Sequence, residues 1–339
     1  MNVFIKWKSF TIVWLTIINM IFAYFSKKDP FFLIKFHFSS PKIYDCFIYF
    51  GEKNMLFFRV LQLYQYVEKF VIGMSNVTFS GKPNVIELDF LKKELKSYSN
   101  KICIFEIEMT ALHESAWSRE EFQRNSIIKK LNDFHPHKED VLIMSDCDEI
   151  LTRQGIIYLK NNLPKTYFRF KSLFFYYSLR WFKGFWNAPS VINYGFLIKS
   201  NLSLNFFRKK VDSKGNFNNL LESPIYAIHC SYCFPDLLEI KRKLNSFSHT
   251  EYSRRPYTIP EYIYSRVLCG DDLFMRGKGL YYISNLENII IPNMSNLKYL
   301  SKMMPFSNVS FINMTEVYYY IQKRCPNHPA SIENPMDWS

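Results

Sequence analysis

The sequence predicts an α/β fold, one domain on a mainly parallel sheet, preceded by a single N-terminal transmembrane or signal-anchor helix. Three observations predict it. Between residues 43 and 145, short β-branched and aromatic runs alternate with segments of helical apolar spacing, the pattern of strands joined by crossover helices. Residues 10–25 carry no charge and are rich in Ile, Phe and Trp. The run Val141-Leu142-Ile143-Met144 then stops in the acids Asp146, Asp148 and Glu149, as at the carboxyl end of a buried strand.

In chain order, residues 1–9 read as a short cytosolic tail and residues 10–25 as the anchor. Lys6 and Lys8 stand before it, Lys27 and Lys28 after it, so the charge bias that orients membrane helices is nearly silent. The run is short against the roughly 20 residues of a spanning helix, and close to the upper limit of a signal-peptide core. Ala23 with Ile21 makes a poor cleavage site, whose use would release a secreted form. Residues 26–41, with Pro30 and Pro41, read as a stem, residues 42–325 as the folded domain and residues 326–339 as a C-terminal tail. Sequons at Asn76, Asn201, Asn293, Asn308 and Asn313 agree with a lumenal domain.

Within the domain, strands are expected at 43–50, 70–74, 102–107 and 141–145, with helices at 55–69, 85–98, 118–134 and 153–162. Aromatic strands at 167–177 and 191–200 follow, with Pro164, Gly184, Pro189 and Gly195 as punctuation. A hydrophobic share of 48% is ample for a core. Aromatic residues reach 18%, but Phe and Tyr are spread through the whole chain, tails included, and mark no site. The net charge of +13 comes from scattered cations without a nucleic-acid module, so it supports attraction to anionic donors or membrane surfaces and no nucleic-acid partner. Seven cysteines cannot all pair internally. Cys46 and Cys147 fall in expected core strands, and Cys230-x-x-Cys233 reads as a redox or metal pair, a local disulfide or packing.

Asp146 and Asp148, two residues apart on an extended segment, would point the same way and converge on one cation. Hard carboxylate oxygens suit Mn²⁺ or Mg²⁺ carrying a diphosphate, as in a nucleotide-sugar. Two clusters lie where a donor would reach. Residues 75–83 hold Asn76, Thr78 and Lys82, which otherwise make a hydroxyl-rich turn. Residues 117–124 hold Arg119, Glu120 and Arg124; a guanidinium fork could grip the diphosphate, or Glu120 and Arg124 could simply pair along the helix.

The stretches IYDCFIYFGE (43–52), YVEKFVIGMSNVTFSGKP (66–83), AWSREEFQR (116–124), VLIMSDCDEI (141–150), IHCSYCF (228–234), KRKLNSFSHTEY (241–252) and GDDLF (270–274), taken as an ordered set, resemble glycosyltransferase family 17. One departure is Gly73-Met74-Ser75, where the family usually has an acid before the Ser-Asn. The resemblance implies a GT-A-like nucleotide-sugar-binding domain, UDP-GlcNAc as donor, an N-glycoprotein core β-mannose as acceptor, and a single-pass type II protein of the Golgi membrane with its catalytic domain lumenal. It also implies an inverting β1,4 transfer, which needs one general base on the acceptor side. Asp272 is the first candidate, then Asp271 and Glu149; a helix N-terminal cap after Gly270 is the structural alternative. His229, ahead of the C-x-x-C, would either line the donor site or stand as a hydrogen-bonded structural histidine; Asp146 and Asp148 are the candidate metal ligands. Two other classes share these features: an inactive lumenal glycan-binding protein of the same fold, and a phosphatase of the haloacid dehalogenase type, which also places Asp-x-Asp after a strand.

Overall fold

The computed structural model of the chain describes residues 40–109, 115–209, 220–221, 226–276, 280–282, 312–313, 315–317 and 319–320. The expected cytosolic tail, anchor and C-terminal tail lie outside them, as do Asn293, Asn308 and most of the stem. Among the described residues no helix is long and apolar enough to cross a membrane. Asn76, Asn201 and Asn313 are exposed.

The first half is the expected parallel layer. Strands β1 (Ile43–Ile48), β2 (Lys69–Ser75), β3 (Ile102–Ile107) and β4 (Val141–Asp146) pair in parallel in the order β3-β2-β1-β4. Helices α1 (Lys53–Leu63), α2 (Leu88–Glu94) and α3 (Ala116–Asn132) form the crossovers. Alternate residues of β1 serve two cores. Ile43 and Phe47 pack with Leu56 and Phe58 of α1, while Tyr44, Cys46 and Ile48 pack with Ile127 and Leu131 of α3. Burial on both faces is why these strands read as unbroken apolar runs.

Past β4 the parallel expectation fails and the sheet becomes mixed. β7 (Trp181–Asn193) runs antiparallel to β4 and to β6 (Tyr167–Tyr176). β9 (Ala227–Ser231) is parallel to β6, and the three-residue β5 (Glu149–Leu151) closes the row antiparallel to β9. Short strands β8 (Leu220–Leu221) and β10 (Tyr281–Tyr282) pair with β6 and β7. The full order is β3-β2-β1-β4-β7-β6-β9-β5. Only Cys147 and Asp148 separate β4 from β5, yet three strands lie between them in the row. The row therefore has to curl until its far edge returns to the end of β4.

The strand expected over 191–200 is corrected. Asn193 ends β7, and its side chain accepts the Phe196 amide to cap α5 (Tyr194–Ser200). Gly184 and Pro189, read as breaks, lie inside β7. Pro189 sits where the β6–β7 register slips between Arg169 and Lys171, so its missing N–H costs no ladder bond. Helices α4 (Arg153–Asn161), α6 (Leu204–Lys209), α7 (Leu237–Leu244) and α8 (Pro260–Cys269) complete the described elements used below. α7 and α8 pack Ile240, Leu244, Ile263 and Val267 on Tyr176 and Tyr177 at the end of β6. Cys230 and Cys233 form a local disulfide, Cys269 is also disulfide-bonded, and Cys46, Cys103 and Cys147 are free.

Candidate active site

The acids do not alternate along one strand. Asp146 is the last residue of β4, whereas Cys147 and Asp148 form the turn into β5. The turn that carries both acids is held by Arg59 of α1. Its Nη1 donates to the carbonyl oxygens of Asp146 (2.8 Å) and Glu149 (3.0 Å), and its Nη2 to Ser145 Oγ (2.6 Å). Its Nε and Nη2 also grip both oxygens of Asp45 on β1, at 2.7 and 2.5 Å, with both side chains fully buried. Burial alone would weaken the guanidinium's hold on its proton; the Asp45 carboxylate outweighs it, and Arg59 stays charged. Glu149 Oε2 also accepts the Asp146 amide at 2.8 Å.

Cations from three helices, and one histidine, surround the acids. Asp146 lies between Arg124 Nη2 of α3 (2.8 Å) and Arg208 Nη2 of α6 (2.6 Å), and Arg208 Nη1 also bonds Glu149. Asp148 accepts Lys243 Nζ of α7 at 2.7 Å, the same ammonium lying 3.3 Å from Glu52; His229 Nε2 of β9 is 3.7 Å from its other oxygen. Burial pushes the Asp146 carboxyl up, but Arg124 and Arg208 prevail and hold it well below the usual carboxylate range. For Asp148, Lys243 and His229 likewise overcome burial and lower the carboxyl. Both acids are thus fixed as anions.

Carboxylates with hard oxygens at alternate positions of one turn suit a divalent cation that takes one or two protein ligands and completes its shell with water and substrate phosphate. The Asp146 side chain, 40% exposed, is reachable from solvent. Among the described residues no group of three or more His, Cys, Asp and Glu encloses an ion, so substrate oxygens would have to complete the shell. Arg208 and Lys243 already hold the oxygens that such a cation would use.

The other expected donor residues divide. Arg124 joins the acids and is paired with Glu120 on the buried side of α3, not on a solvated face; Glu120 also accepts the Ser248 hydroxyl. His229 stacks on Phe174 at 4.5 Å, and its buried Nδ1 has no hydrogen-bond partner. Asn76, Thr78 and Lys82 belong to the turn after β2. The Thr78 hydroxyl accepts the Lys82 amide, and the Asn76 carbonyl accepts the Asn84 amide. Arg119 Nε donates to the Phe79 carbonyl and Gln123 to that of Val77, so α3 clamps this turn. Beside it, at the ends of β1 and β2, lies a recess lined by Tyr49, Gly51, Met74, Asn84, Glu87 and Arg242. Gly51 holds a φ of +94°, a backbone conformation that side-chain-bearing residues rarely adopt, which favours glycine there. The Met74 of the Gly73-Met74-Ser75 departure faces this recess, where the buried Tyr49 hydroxyl also has no partner.

On the opposite side, Gly270 ends α8 in the left-handed conformation and residues 271–276 form no helix, so the N-cap reading of Asp271 and Asp272 is replaced by a turn: Asp272 Oδ1 accepts the Phe274 amide at 2.8 Å. Asp271 bonds Arg266 at 2.6 Å. Asp272 is buried and bonds Lys183 Nζ of β7 at 2.6 Å, with Arg276 Nε 3.6 Å away. Glu149 is wholly buried and committed to Arg208, the Asp146 amide and the indole of Trp186, the position of a scaffold acid.

Arg59, Arg208, Lys243, Lys183 and Trp186 were not singled out from the sequence. For Arg59 a signal existed: one cation in the apolar run NMLFFRVLQL and one acid in IYDCFIYF imply a buried partnership. Arg208 and Lys243 carry no local pattern that separates them from the other scattered cations.

The sequence profile of glycosyltransferase family 17 matches residues 34–286. No curated protein matches the chain. Similar solved structures include a mannosyltransferase, PcManGT, from Pyrobaculum calidifontis in complex with GDP-Man and Mn²⁺ (8% identity, 62% of each chain, TM-score 0.34). Others are the inositol-1-phosphate CTP transferase from T. maritima (9% identity, 57% of this chain and 86% of that one, TM-score 0.28) and a glycosyltransferase involved in glycosylation of the major capsid of PBCV-1 (10%, 57% and 83%, TM-score 0.26).

Proposed function

Since the chain belongs to glycosyltransferase family 17, we propose that it moves N-acetylglucosamine from UDP-GlcNAc to the core β-mannose of N-glycans in β1,4 linkage, or performs a closely related glycan transfer. Family membership removes the phosphatase reading. The observation that carries the proposal is the Asp146–Asp148 turn, pinned by Arg59 and ringed by Arg124, Arg208 and Lys243. A departing nucleoside diphosphate gathers negative charge, and preset cations in a partly buried site stabilise it without reorganising. Mn²⁺ or Mg²⁺ held by Asp146 and Asp148 would add to that neutralisation when bound. We expect the nucleotide end of the donor over the carboxyl ends of β1 and β2, the side on which open α/β sheets bind their ligands; the recess found there is itself only water-sized, about 10 Å³. The apolar run at residues 10–25 and the exposed sequons support a type II protein with its domain in the Golgi lumen.

Asp272 is assigned as the base that takes the proton of the acceptor hydroxyl in a single inverting displacement. Its test is Asp272→Asn: kcat of the folded variant should fall by about 10²–10⁴-fold, the usual share of general-base catalysis, with a smaller change in acceptor KM, and the lost pairing with Lys183 should lower the melting temperature as well. Wild-type kcat would move the role to another acid. The reading as a whole is tested by incubating the purified protein with UDP-GlcNAc, Mn²⁺ and a panel of N-glycans. One added N-acetylhexosamine by mass, abolished by EDTA and restored by Mn²⁺, is expected. Binding of UDP-GlcNAc without turnover would favour the inactive glycan-binding protein instead.

A further inference from the structure

The two candidate acids at opposite sides of the site, Glu149 and Asp272, are joined by a strip of aromatic side chains on one face of the curled sheet. Trp186 of β7 donates its indole N–H to Glu149 Oε1 of β5 at 2.8 Å, although β6 and β9 separate those strands in the row. The register puts Trp186, Phe174, His229 and Glu149 on the same face of their strands, so the indole reaches Glu149 across that face. From Trp186 the strip passes to His229 (5.3 Å) and Phe174 (5.5 Å), then to Tyr176 (5.2 Å from Phe174). Lys183 lies 5.7 Å over the Tyr176 ring and bonds Asp272. In this strip Tyr176 and His229 are buried, whereas Trp186 is 41% exposed while its polar edge is fixed.

A ring held by its N–H, flanked by other rings and open on one face is a preformed platform for a flat apolar surface. A pyranose supplies one: its axial C–H groups form an apolar face, and its hydroxyls at the rim meet Lys183 and the acids. We propose that Trp186 stacks a pyranose ring of the acceptor glycan and thereby sets acceptor affinity. The ring belongs to the acceptor, because the strip leads to the acid assigned as base and lies on the β6–β7–β9 side, away from the recess at β1 and β2. The inference rests on the glycosyl-transfer reading, and the two can fail separately.

The test uses Trp186→Leu, which removes the aromatic face, and Trp186→Phe, which keeps a face but loses the bond to Glu149. Acceptor KM is measured with UDP-GlcNAc, and affinity for a free biantennary N-glycan is titrated directly in the presence of UDP. Trp186→Leu should weaken both by about tenfold or more, the scale of one lost stacking contact, with the donor KM moved far less, while Trp186→Phe stays within about threefold of wild type in acceptor affinity. Unchanged glycan affinity in Trp186→Leu, or equal losses in both variants, would overturn the proposal, the second outcome tracing the effect to Glu149. If the wild type transfers no sugar yet binds the glycan and Trp186→Leu does not, the platform stands and the transfer reading falls.

Discussion

Asp148→Asn will reduce sugar transfer by about a thousandfold or more, the cost of losing a preset charge at the leaving group, while the protein still folds and is secreted. The amide keeps the size of the side chain and can accept a bond from Lys243, so the turn keeps its shape. What goes is one of the two anions available to a divalent cation, and with it the balance that leaves Lys243 shared between Asp148 and Glu52. Transfer should also lose its dependence on Mn²⁺ concentration. Measured as product formed against Mn²⁺ for wild type and variant, wild-type turnover with an unchanged Mn²⁺ curve would remove Asp148 from the chemistry.

Arg59→Met will destabilise the protein by about 3–5 kcal/mol, because it strands the buried Asp45 carboxylate without its partner. For a domain of this size that lowers the melting temperature by roughly 10 °C. The double variant Arg59→Met with Asp45→Leu should regain most of the stability, since an apolar pair of similar volume often replaces a buried ion pair at little cost. It should not regain activity. The carbonyl oxygens of Asp146 and Glu149 would still lack the guanidinium that fixes the acid turn. Thermal melting and transfer assays on the three proteins separate the two roles; activity returning with stability would show that Arg59 serves the fold alone.

The first half of the fold was legible because each strand there is buried on both faces and each crossover has helical spacing, so period and length agree. β3 falls on the expected residues 102–107. The second half obscured itself. Its run of aromatics fits a strand or a helix by hydrophobicity alone, and the choice at 194–200 falls to the Asn193 cap and to a β7 that absorbs Gly184 and Pro189. The same division holds for the site. Asp146 and Asp148 announce themselves because acids abruptly end an apolar strand. Arg208 and Lys243 are brought to them by α6 and α7, about 60 and 95 residues later, and long-range pairing leaves no trace in local spacing. Thr78 and Arg119 show the converse: residue types suited to phosphate, employed here in tying a turn to a helix.

The curl of the sheet fixes one length. With only Cys147 and Asp148 bridging the edges that meet there, a single inserted glycine would shift β5 by one position against β9 and turn every side chain of β5 to the reverse face. Glu149 would then point away from the Asp146 amide, from Arg208 and from Trp186 together. A longer connection here would separate the acid turn from the partners that hold Glu149.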